Sequence, residues 1–255
     1  MGRPVHLWTY GWHGPPLLVF PSAAGMAHEW QHAGAIAALQ PWIDDGKLRL
    51  YCPESNVSVA WTGPADPRWR LAQHERYERF IVDELVAYIR RDVRDPTARV
   101  ATAGASFGAF YAVNTALKYP DRFHWALGLS GRYRSEAFLN GHQSHLAYMN
   151  QPMAHVAGLS GDALRAARQV RFTLVVGRGA YEGRCTRETV EMARALARMG
   201  IPVQLDLWGH DVSHEWVWWR RQIVHHLGAY LIRRHGAAEQ PRRTAARADG
   251  GGRRG

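Results

Sequence analysis

The chain has 255 residues, a mass of 28.8 kDa and a net charge of +10; its 46% apolar content excludes wholesale disorder, and its length suits one domain. Only Lys47 and Lys118 among the 32 basic residues are lysine, and the arginines are scattered without a groove-reading motif, which argues against nucleic-acid binding as the main function. No apolar stretch approaches the roughly 20 residues of a membrane helix, and Met1 to Tyr10 holds no apolar core of a signal peptide, so a cytoplasmic protein without a membrane partner is expected.

Val5 to Tyr10 reads as a strand, and Pro16 to Phe20 is a continuous apolar run of the kind that a strand buried on both faces requires. A small-residue loop follows, Pro21-Ser22-Ala23-Ala24-Gly25. A helix is predicted over Gly34 to Asp45 and a short strand over Leu48 to Cys52. Arg68 to Asp92 carries apolar groups at three- and four-residue spacing, including Tyr77, Ile81, Leu85 and Ile89, and is the longest predicted helix. The next elements are a strand over Arg99 to Ala103, a helix over Ala109 to Leu117 and a strand over His124 to Leu129 that leads to Ser130-Gly131.

From Arg132 to Arg168 the pattern is irregular, and an insertion with at most short helices is expected. Phe172 to Val176 and Pro202 to Leu207 read as strands, Arg187 to Met199 and Trp216 to Arg233 as helices. The Gly/Ala/Arg/Pro-rich tail, residues 236–255, is expected to hold no fixed structure. Alternating strands and helices predict an α/β fold over residues 1–235, with a mostly parallel sheet covered on both faces. The first two strands, with no helix between them, are expected to form an antiparallel N-terminal edge. Cys52 and Cys185, outside any CxxC pair, read as buried or half-buried thiols.

Gly104-Ala105-Ser106-Phe107-Gly108 is G-x-S-x-G between a strand and a helix. A serine nucleophile needs such a turn: its hydroxyl stands above the sheet, and the flanking glycines let backbone and helix approach. The Phe107 amide at the helix start would face a developing oxyanion, aided by the helix dipole. A second donor is expected in the loop after the second strand, Ala23 first and Ala24 second. The hydroxyl needs a base, and His210 and His214 both qualify; as a pair at four-residue spacing they also admit a metal reading. Glu182 is the acid of the loop after the strand ending at Val176, with Asp211 as the runner-up; Glu188 reads as a helix-start charge, and Asp206 sits inside a strand.

The elbow, the following acid and His214-Glu215-Trp216 with Trp219 resemble the putative-esterase family of α/β-hydrolases. That family includes esterase D (S-formylglutathione hydrolase), enterochelin and feruloyl esterases, and mycolyltransferases. The resemblance implies an α/β-hydrolase fold and a serine carboxylesterase with a Ser106, His214 and Glu182 triad, oxyanion donors at Phe107 and Ala23, and no cofactor or metal. It selects His214 above His210. Where the family's oxyanion loop carries His-Gly or Asp-Gly, this chain has Pro21-Ser22. In the implied fold the two cysteines lie about three strand spacings, or about 14 Å, apart, too far for a disulfide.

The insertion stands where such hydrolases place a cap, so Tyr133, Tyr148 and Met149, with His142, His145 and Met153, are candidates to line a small-molecule ester site. Arg132, Arg134 and Arg178 would favour an anionic substrate if they converged there. The rival readings are an acyltransferase using the same acyl-enzyme and a non-catalytic binding module on this fold. Among assemblies, a homodimer is the commonest type.

Overall fold

The structure, a computed structural model, describes residues 1–23 and 25–248. Seven strands form one sheet in the order β1-β3-β2-β4-β5-β6-β7. They are β1 (Leu7–Tyr10), β2 (Pro16–Phe20), β3 (Arg49–Pro53), β4 (Val100–Ala105), β5 (Phe123–Leu129), β6 (Arg171–Val176) and β7 (Val203–Leu207). β2 to β7 run parallel, and β1 is antiparallel to β3. The expected pairing of β1 with β2 is therefore wrong. β3 inserts between them, and the antiparallel edge is β1 alone. Cys52 on β3 and Cys185 beyond β6 are separated by β2, β4 and β5, four strand steps rather than three, and both are unbonded thiols.

β2 is buried throughout because helices cover both faces. Its side chains alternate, as the strand period requires. Leu18 and Phe20 enter one core with Tyr77, Ile81, Val113 and Met192, whereas Leu17 and Val19 enter the other with Trp30, Leu39, Ile223 and Leu227. Full burial of each such side chain contributes about 1.5–3 kcal/mol.

The second face is covered by α1 (Glu29–His32), α2 (Ala35–Asp44) and α11 (Trp216–Ala248). The first face takes α3 (Val57–Ala60), α4 (Pro67–Arg79), α5 (Val86–Asp92) and α6 (Phe107–Lys118), and later in the chain α10 (Gly183–Arg198). The long helix predicted over 68–92 is one helical run in which a wider π-turn, Phe80–Leu85, joins α4 to α5. Asp66 caps it by accepting from the amides of Arg68 and Trp69, with Pro67 at the first helical position.

The insertion holds a 3₁₀ turn (Glu136–Phe138), α7 (His145–Met149), α8 (Pro152–Gly158) and α9 (Gly161–Ala167). Its anchor is Asn150, fully buried between α7 and α8. The Asn150 Oδ1 accepts from Asn114 at 3.0 Å and Lys118 at 2.9 Å, and lies 3.0 Å from His74 Nε2. Lys118 also pairs with the buried Glu78, so one network joins α4, α6 and the insertion.

The tail, expected to hold no fixed structure, falls partly within α11. α11 continues through residues 236–248. Residues 249–255 lie outside the described residues. No helix among the described residues is long and apolar enough to cross a membrane.

Candidate active site

The parallel strands end at one rim of the sheet, where Phe20 pairs with Gly104, Ala105 with Leu129, and Val176 with Leu207. The loops that leave this rim carry every polar residue of the site.

Ser106 stands between β4 and α6 with φ 56° and ψ −117°, a backbone conformation that side-chain-bearing residues rarely adopt. The flanking glycines permit it. A Cβ on Gly104 would lie 2.2 Å from the Gly108 carbonyl carbon, and one on Gly108 would lie 2.4 Å from the Phe20 carbonyl oxygen. The Ser106 amide donates to the Leu129 carbonyl at 2.8 Å, fixing the turn to β5. Phe107 begins α6, so its amide has no partner within the helix and points out of the helix start.

His214 lies in the loop between β7 and α11. Its Nε2 is 3.0 Å from Ser106 Oγ, and its Nδ1 is 3.3 Å from Glu182 Oε2. With the proton on Nδ1, the ring donates to Glu182 and accepts from Ser106. Glu182 is fully buried at the start of α10. The loops bearing His214 and Glu182 are stitched through their backbones. The Gly179 amide donates to Val212 at 2.9 Å, the Arg178 amide to Gly209 at 3.0 Å, and the His214 amide to Ala180 at 3.0 Å. A Cβ on Gly177 would meet the Val212 carbonyl oxygen at 2.1 Å, so glycine is what allows the two loops to touch.

Two more residues complete the line: Ser130, to which sequence reasoning gave no part, and Trp219, which it named only as part of the family motif. Ser130, buried at the end of β5 with φ 51°, donates its hydroxyl to Glu182 Oε1. The Ser130 hydroxyl oxygen in turn accepts from Trp219 Nε1 at 3.0 Å, and the Trp219 ring packs edge-on against His214 with centroids 4.7 Å apart. Trp219 thus supports both the histidine and, through Ser130, the acid. The Ser-Gly dipeptide closing a strand was the one available signal, and nothing in its spacing pointed to Glu182.

Ser22 donates its amide to Glu29 Oε2 at 2.6 Å and its hydroxyl to Glu29 Oε1. This holds the loop after β2 against α1 and commits the Ser22 amide. Ala23 is the next residue and is exposed at the rim. Ala24, the second candidate donor, lies outside the described residues.

The other candidates fall elsewhere. His210 and Asp211 are exposed, and His210 faces a groove shared with Arg178, Arg187 and Arg194. Glu188 is buried and anchors the start of the insertion, accepting from the amides of Tyr133 at 2.8 Å and Arg134 at 3.0 Å and from Arg132 Nε at 3.0 Å. Asp206 pairs with His226. Arg132, Arg134 and Arg178 do not converge, because they bind Glu188, Glu191 and the Trp208 carbonyl.

Tyr133 is not a pocket residue. Its ring is 0% exposed, packed over Gly128 and Gly131, whose missing side chains leave it room in the core. Tyr148 is exposed on α7 and lines a cavity of about 750 Å³ with Leu139, His142, His145 and Gln151; Met149 is half-buried on the same helix. Phe138 of the insertion packs on Phe107 with ring centroids 5.0 Å apart, which places the insertion beside Ser106.

No curated protein matches the sequence significantly. Among solved structures, a ferulic acid esterase superposes with a TM-score of 0.67 at 20% identity, covering 87% of this chain and 85% of that one. MPT51 (FbpC1) of Mycobacterium tuberculosis gives 0.67 at 16% identity, covering 90% and 93%. An S-formylglutathione hydrolase from Agrobacterium tumefaciens gives 0.69 at 15% identity, covering 90% of each chain. The fold is that of the α/β-hydrolases. The family model described as "Putative esterase" matches residues 66–230, most of the chain, so this protein belongs to the putative esterase family and is a hydrolase of ester bonds.

Proposed function

We propose that the protein is a serine carboxylesterase that works through an acyl-enzyme on Ser106. The observation that carries this reading is the placement of His214, with its two ring nitrogens 3.0 Å from Ser106 Oγ and 3.3 Å from Glu182. A serine hydroxyl becomes a useful nucleophile when such a base takes its proton.

Ser106 Oγ attacks the ester carbonyl carbon while His214 Nε2 takes the hydroxyl proton. The negative charge that moves onto the carbonyl oxygen is held by the Phe107 and Ala23 amides and by the N-terminus of α6. The bond to the alkoxy oxygen then breaks, and His214 returns the proton to the leaving alcohol. Water attacks the acyl-enzyme by the same route in reverse roles and releases the carboxylic acid. Glu182 holds His214 in the required tautomer and stabilises the imidazolium. The intermediate also admits transfer to an added alcohol, which would appear as a new ester in place of the acid.

The test is hydrolysis of a short p-nitrophenyl ester by the wild type, Ser106→Ala, His214→Ala and His210→Ala. Turnover should fall at least a thousandfold in the first two and stay within about twofold of wild type in His210→Ala. Equal activity of the two histidine variants overturns the assignment.

A further inference from the structure

A second cluster of ligating side chains lies away from Ser106, where the edge strand β7 meets α11. Asp206 on β7 faces His225 and His226 on α11, and one ligand atom from each of the three lies within 4.8 Å of the others. Asp206 Oδ2 is 3.0 Å from His226 Nε2 and accepts from Trp208 Nε1 at 2.9 Å. Their exposure is graded: His226 is buried, Asp206 half-buried, and His225 exposed with its ring at 89° to that of His226.

We propose that Asp206, His225 and His226 form a site for a divalent transition metal of the zinc class, which staples β7 to α11. The donor chemistry fits. Two imidazoles and one carboxylate are a common protein set for this ion, with water able to fill the fourth position. The geometry fits as well. Ligand atoms around a tetrahedral zinc lie about 3.3 Å apart, given bonds of about 2.0–2.1 Å. The Asp206–His226 pair is already close to that spacing, and the exposed His225 ring can turn to close the remainder.

An outer contact is also in place. The indole N–H of Trp208 orients the carboxylate, as outer-shell donors do for metal-binding oxygens. Coordination by His226 Nε2 moves the ring proton to Nδ1, and no oxidant or reductant is involved. His225 also packs edge-on against Trp208 with ring centroids 6.5 Å apart, which keeps its ring beside Asp206.

The staple would hold both ends of the segment 206–225, which carries His214. It is separate from a second convergence of ligand atoms, Glu182, Cys185 and His214, which belongs to the site already described.

The experiment uses the tag-free full chain, stripped with a chelator and titrated with Zn²⁺ by calorimetry, with Co²⁺ as an optical probe. One equivalent of Zn²⁺ should bind, Co²⁺ should give the intense visible bands of a four-coordinate site, and the melting temperature should rise with Zn²⁺. His225→Ala, an exposed position that leaves the fold intact, and Asp206→Asn should each weaken binding at least tenfold and abolish the rise in melting temperature. Three outcomes overturn the proposal: no saturation up to millimolar Zn²⁺, a less than tenfold change in His225→Ala, or loss of binding in Cys185→Ala instead, which would put the ion at the first site.

Discussion

Three non-glycine residues with positive φ, Ser106, Ser130 and Tyr181, stand at the rim where the parallel strands end. Each such conformation costs on the order of 1–3 kcal/mol and persists only where its surroundings hold it. Ser106 is held by the close approach of Gly104 to Gly108, and Ser130 by Glu182 and Trp219. Ser130 is fully buried and touches Glu182 rather than Ser106 or His214, so its expected part is to position the acid. A hydrogen bond to a charged group is worth about 1.5–3 kcal/mol, so Ser130→Ala should lower kcat about tenfold to a hundredfold and leave KM unchanged. Steady-state kinetics check this, and an unchanged kcat would make the contact merely structural. Tyr133 teaches the opposite lesson. Its residue type suits a binding pocket, yet the glycines at 128 and 131 open a core slot for its ring, and no local spacing reveals that.

At the scale of elements, the parallel strands were legible because burial on both faces demands unbroken apolar runs. Pro16 to Phe20 matches β2 residue for residue. Neighbours in the sheet were not legible. Pairing of β1 with β3 depends on long-range packing, and chain order suggested β2. Ser106, Glu182 and His214 could be singled out as candidates because strand-end loops carry chemistry in this architecture, and the structure brings the three side chains together. The stitching of the Glu182 and His214 loops could not, since it runs through backbone amides. That stitching makes a prediction. Gly177→Ala drives a methyl group into the Val212 carbonyl and should cost about 1–3 kcal/mol of stability by overpacking. It should also separate His214 from Glu182, so kcat falls in a variant that still melts cooperatively. Wild-type kcat in Gly177→Ala would show that the two loops position nothing.

Across the whole molecule, several arginines are paired with carboxylates, including Arg49 with Asp92 and Arg132 with Glu188. The buried histidines matter more for stability. Burial lowers the His74 pKa to about 3 and those of His124 and His155 to about 4. The unfolded chain binds these protons below a pH of about 6.5, whereas the folded protein does not until about 3 to 4. Stability should therefore be complete at neutral pH and fall as pH drops from about 6.5 toward 4, with His74 alone contributing about 2 kcal/mol of the loss by pH 5. Urea unfolding of wild type and His74→Gln at pH 7 and pH 5 measures it; equal pH dependence in both proteins would remove His74 from the account. The chemistry itself is tested most directly by mapping the adduct of a fluorophosphonate probe by mass spectrometry. One equivalent should form, on Ser106, at least a hundredfold more slowly in His214→Ala and not at all in Ser106→Ala. A wild type that remains unlabelled, or that labels at another residue, would contradict this assignment.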